Sequence, residues 1–282
     1  MLIAHFFDLV PIWLLLIGTI LIMILFIEFG FRLGQRSQSG SKKAQTSQVR
    51  AIMGAGLGLL AFMLAFTFST AQSHFETRVQ SLAEETRIAR NAYMQADLLA
   101  EPARSQVKYL LRDYIKFRNP LNKIKNSEVS QKLDELLEYS EKIQHELWLL
   151  VSGRSAESGG KQFDSGANDA LMASVLALTD IHYTRLHSAT MNRIPLTIWM
   201  TLYLMAILSM VIMGYQAGLT DRRSPVATVT LALAFSAVII LIADLDRPVM
   251  SLFDINKQLL VDLGEYMEQD LSLEYYPAEP EQ

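Results

Sequence analysis

Gly54, Gly58, Phe62, Phe66 and Thr70 recur at every fourth position inside a stretch, Ala51 to Ser73, that carries no charged side chain. On a helix that spacing forms one slowly rotating stripe. Glycines let helices approach closely, and phenyl rings can narrow a passage. If identical copies of this helix gather about an axis, Phe62 and Phe66 form two apolar collars that gate by dewetting, with Gly58 and Thr70 flanking them. The plainer reading of the same stripe is lipid-facing or packed aromatics. Neither reading makes or breaks a bond.

The ionisable candidates sit at the ends of apolar runs. Glu28, Asp244 and Asp246 lie where a buried charge is expensive unless it is paired or hydrated, and Arg247 is the natural partner for Asp246. With Arg78 they either line an entrance or anchor span ends in the interface, Asp246-Arg247 then marking a helix stop before Pro248. The carboxylates Asp262, Glu265, Glu268, Asp270 and Glu274 could offer oxygens to calcium, but they lack the alternating loop of an efficient site, and solvated charge explains them. His5, His74, His145, His182 and His187 form no metal pair at ligand spacing.

Catalytic signatures are missing. There is no cysteine, hence no thiol nucleophile, and no phosphate loop, nucleophile elbow or zinc helix. Glu84 and Glu85 are adjacent on a helix and point about 100° apart, poor geometry for two carboxylates acting on one bond. Pairing with Arg87, Arg90 or a neighbouring helix suits them better. Nothing calls for an enzyme, a cofactor or a metal.

Four uncharged runs must position these residues: Leu9 to Ile27, Ala51 to Ser73, Ile194 to Thr220 and Ser224 to Ala243. Each can cross about 30 Å of hydrocarbon, which takes about 20 helical residues. The spacing predicts an all-α, integral-membrane protein with four transmembrane helices, located in a cell membrane. The expected division is 1–71 for the first two spans and a basic loop, 72–193 for a helical extramembrane domain, 194–243 for spans three and four, and 244–282 for an acidic tail. The first run follows Asp8 without a basic leader region and is read as a permanent span. Segment 72–193 carries equal numbers of basic and acidic residues, so it presents no polyelectrolyte to nucleic acid.

After its last glycine, Gly58, the second helix meets no breaker before Pro102, and so is expected to run from Ala51 to Glu101, far past the membrane core. Phe75, Val79, Leu82, Thr86, Ala89, Tyr93 and Ala96 form a seam on its extension. Val107, Leu110, Leu111 and Tyr114 mark a further helix, the stretch from near Ser127 to Gly153 another, and Asn168 to His187 a third. Arg32 to Arg50 reads as a polar loop, and the chain from Leu271 as loosely held.

Gly56 to Phe66, followed by His74-Phe75-Glu76-Thr77-Arg78, resembles the bestrophin neck helix, an apolar span with aromatics four apart running into an Arg/aromatic-rich stretch. Ile194-Pro195 through two spans to Asp246-Arg247-Pro248, then Asp254 to Leu263, resembles the bestrophin ending. Phe66-Thr67-Phe68-Ser69, Glu84-Glu85, Tyr93 to Leu99 and Leu245-Asp246-Arg247-Pro248 resemble more closely a bacterial membrane-protein family described as bestrophin-like. The resemblance implies a homo-oligomer, a pentamer in bestrophins themselves, that conducts inorganic ions, anions by that likeness, across the lipid bilayer, which for a bacterial family is the cell inner (plasma) membrane. One departure bears on ion choice: the bestrophin Arg-Trp-Trp stretch is here His74-Phe75-Glu76, a cation lost and an anion gained. Orientation divides too. Five Lys/Arg in the first loop, with Arg222 and Arg223, place the loops in the cytoplasm, whereas bestrophins keep the helical domain there. A non-conducting sensor or scaffold whose helical domain binds a ligand or partner is the competing function.

Overall fold

A computed structural model describes residues 10–37, 42–118, 129–152, 165–190, 193–220, 225–247 and 258–275. Among them the chain is all helix: α1 (Ile12–Arg36), α2 (Lys42–Ala96), α3 (Ala103–Arg118), α4 (Val129–Val151), α5 (Ser165–Thr190), α6 (Leu196–Thr220), α7 (Pro225–Asp246) and α8 (Gln258–Tyr275). α1, α2, α6 and α7 are long and apolar enough to cross a membrane. α2, at 55 residues, is about 80 Å long and far exceeds a bilayer core.

Helix ends depart from the expected ones in both directions: α2 stops at Ala96, five residues short of Glu101, while others run on into the expected loops. The polar segment Arg32 to Arg50 is largely helical, because α1 continues to Arg36 and α2 starts at Lys42. Straight-chain Lys, Arg and Gln are good helix formers, so an apolar run marks the span but not the helix end. Likewise α8 runs on to Tyr275, since Leu260, Leu263, Met267 and Leu271 repeat on one face and are buried. Residues 248–257 and 276–282, Pro248 and Asp254 among them, lie outside the described residues.

The chain divides into two compact units, 1–76 with 191–254, and 77–190 with 255–282. In the first, Met23, Ile27, Leu60, Leu64, Leu202, Met210 and Ile239 make the core. α1 and α6 meet through paired glycines. A Cβ on Gly30 would lie closer than 3.0 Å to the Val211 carbonyl, one on Gly34 to that of Tyr215, one on Gly214 to that of Ile27, and one on Gly218 to that of Phe31. Each helix therefore presents Gly-xxx-Gly to the other, the small-residue packing that lets backbones touch in lipid. Polar contacts also join helices in this unit: Thr19 and Tyr203 hydroxyls at 3.1 Å, and Ser209 donating to the Gly56 carbonyl at 3.3 Å.

The second unit has a separate core. Leu82, Ala89 and Tyr93 of α2, Leu111 of α3, Leu147 of α4, Leu171 and Leu178 of α5 and Met267 of α8 are its centre. Their three- and four-residue spacings on each helix build one apolar stripe per helix. Five stripes close on one another.

Candidate functional site

Within the first unit, α2 has two unlike faces. Leu60, Leu64, Thr67 and Ala71 are buried, while Phe62 is 66% and Phe66 57% exposed. Gly54 and Gly58 share the exposed side, and a Cβ on either would meet no atom within 4 Å. These glycines are therefore not required by any contact of their own chain, unlike Gly30, Gly34, Gly214 and Gly218. Close approach by something outside the chain would need them.

The four-residue stripe drifts by about 40° per step. By Thr70 it has turned onto a half-buried flank, where the hydroxyl donates to the Phe66 carbonyl at 3.1 Å. Steps of seven stay on the outward face: from Phe62 they reach Ser69 and then Glu76, both exposed. The Gln72 amide donates to the Glu76 carboxylate at 3.0 Å. Ser69 and Glu76 were not singled out by the four-residue spacing, although the seven-residue spacing was readable.

The charged candidates have local duties. Glu28 pairs with Arg32 at 3.2 Å on the same helix. Arg78 is 7% exposed and lies nearly opposite Phe62 around α2. Asp246, the last residue of α7, accepts the Ile194 N–H at 3.0 Å just before α6, and Arg247 donates to the Val10 carbonyl at 2.7 Å just before α1. The Asp246-Arg247 pair thus ties the backbone just before two helices to the end of a third. Asp246→Ala is expected to lower stability by about 1–2 kcal/mol, with Asp246→Asn retaining most of it, as read by thermal melting of the purified protein in detergent.

A buried polar centre holds the second unit. Glu85 of α2 is fully buried; its carboxylate accepts from the Tyr114 hydroxyl and from Arg118 Nε at 2.9 Å, and is ion-paired with Arg185 of α5. Arg118 also donates to His182 Nδ1 at 3.0 Å, which places the imidazole proton on Nε2. Burial, aided by the Arg118 charge, lowers the His182 pKa to about 4; burial lowers that of Arg185 to about 10 and raises that of Tyr114. A second centre is Lys108, 1% exposed, between Asp97 at 2.5 Å and Asp270 at 3.0 Å. Burial disfavours the Asp270 charge, but hydrogen bonds from Lys108 and Tyr93 outweigh it and hold its carboxyl below the usual range. Glu268 is tied to Lys116. Glu268 and Asp270 of the tail are thus engaged in ion pairs, and no group of three metal-ligating side chains comes together among the described residues.

Four apolar helices, one of them far longer than a bilayer is thick, define a multi-pass helical membrane protein. Residues 21–257 match the family model of the bestrophin-like domain, and the chain belongs to that family. A crystal structure of a mutant bacterial bestrophin homologue from Klebsiella pneumoniae shares 14% identity over 94% of this chain and 99% of that one, with a TM-score of 0.48. No curated protein matches.

Proposed function

We propose that several copies of this chain assemble in the cell inner membrane as an ion channel, with the outward face of α2 along the conduction path. One observation carries the reading. Phe62 and Phe66 project, more than half exposed, from a helix whose opposite face is packed, beside glycines that their own chain leaves open. In a ring of copies the phenyl groups would form apolar constrictions, which pass ions only when water fills them. Gly58 would leave room on one side and Thr70 would flank the other. Family membership makes anions the first candidates for the permeant ion, and we take the first compact unit as the membrane part and the second as the helical extramembrane part.

Purified protein in liposomes is expected to conduct, and Phe62→Ala and Phe66→Ala are expected to raise flux several-fold by widening a dewetted neck. Unchanged flux in both variants removes the constriction; no flux from any form removes the channel. A non-conducting sensor or scaffold is the second reading. It draws on Leu98, Tyr183 and Leu273, large side chains of the second unit that are more than half exposed and suited to a partner. Particle symmetry separates the two, because a scaffold needs no shared axis of second helices.

A further inference from the structure

We propose that Glu76 is the charge-selecting residue of the conduction path and biases it toward cations. The inference rests on the channel reading and replaces the anion that family membership makes the first candidate with a cation. Phe62, Ser69 and Glu76 are seven residues apart, so they lie within about 40° of one another on α2, and all three side chains are exposed. Whatever surrounds the phenyl groups therefore also meets Glu76, two helical repeats further on.

Within the apolar run no other formal charge competes along that face; further along α2, Arg87 is exposed on the same side but paired with Glu84, and Arg90 is exposed about 40° from Glu76. From Ala51 to Glu76 the sequence holds a single charged side chain, Glu76 itself. Arg50 is exposed, but at the far end of the run, and Arg78 is buried on the opposite side of the helix. The carboxylate is also held in place: the Gln72 amide donates to it at 3.0 Å, on the same helix and one turn back. Repeated around an axis, one exposed carboxylate per copy makes a ring of negative charge beside an apolar collar. Acidic rings attract cations and repel anions, most strongly where water is confined. Family membership alone suggests anions; from Ala51 to Glu76, α2 supplies no cation to hold them.

Reversal potentials across a salt gradient test this, with purified protein in planar bilayers. The wild type is expected to favour the cation, and Glu76→Gln to raise the chloride-to-cation permeability ratio at least about threefold, more at low ionic strength where screening is weak. Glu76→Asp should keep the wild-type ratio. Phe62→Ala should change conductance and leave the ratio alone, as should Glu138→Gln, an exposed carboxylate on α4. Currents whose ratio is the same in the wild type and Glu76→Gln overturn the assignment while the channel stands. No current from the wild type or from Phe62→Ala overturns both.

Discussion

Gly214→Leu is expected to separate α6 from α1 and to cost more than about 3 kcal/mol, enough to remove most folded protein from the membrane. The reason is geometric. A single Cβ at Gly214 would already sit closer than 3.0 Å to the Ile27 carbonyl and to the backbone of Phe31, and backbone cannot rotate away as a side chain can. Overpacking a close-packed interior typically costs about 1–3 kcal/mol when side chains yield. Here two helices must move apart along their contact, which also releases the Gly30, Gly34 and Gly218 approaches. Gly18, on α1 with nothing within 4 Å, is the control, and Gly18→Leu should be tolerated. Monodisperse yield and melting temperature in detergent decide it; equal behaviour of the two variants would show that the helices do not touch as described.

That glycine pairing shows what a single sequence carries and what it hides. Gly30-x-x-x-Gly34 and Gly214-x-x-x-Gly218 are visible as small residues one turn apart, yet spacing alone cannot say which helix each pair faces. The four spans were legible because hydrocarbon demands long uncharged runs, and the length of α2 because no breaker interrupts it. Helix ends were less so, since Arg36, Lys42 and Lys43 extend a helix as readily as they would form a loop. The same limit applies to Glu84 and Glu85. Glu84 does pair along its own helix with Arg87, at 2.8 Å, as neighbours three apart allow. Glu85 meets Arg118 and Arg185, from helices 33 and 100 positions onward, which no local pattern announces. Phe62 and Glu76 were both in plain sight; their common face emerges once the helix is known to be unbroken between them.

Glu85→Gln is expected to destabilise the second unit by about 3 kcal/mol or more, because breaking a buried ion pair strands the partner charges. Two guanidiniums share this carboxylate, and both Arg118 and Arg185 are mostly withdrawn from water. Removing one of them as well should therefore help: Glu85→Gln with Arg185→Gln is expected to melt higher than Glu85→Gln alone, a coupling that additive losses would not give. The centre also sets a pH dependence. An unfolded histidine titrates near 6.5, whereas His182, buried beside Arg118, holds a proton only below about 4. As pH falls from 6.5 toward 4 the unfolded chain gains a proton that the folded chain refuses, so the stability present above 6.5 is progressively lost and then levels off. In His182→Gln, whose amide oxygen can still accept from Arg118, that part of the acid loss should vanish. Melting temperatures from about pH 7.5 to about pH 4 would show the wild type falling more steeply than the variant. Parallel curves would mean that His182 takes up its proton in the folded unit as readily as in the unfolded chain, and in acid a third cation beside Arg118 and Arg185 would then need a counter-charge beyond Glu85.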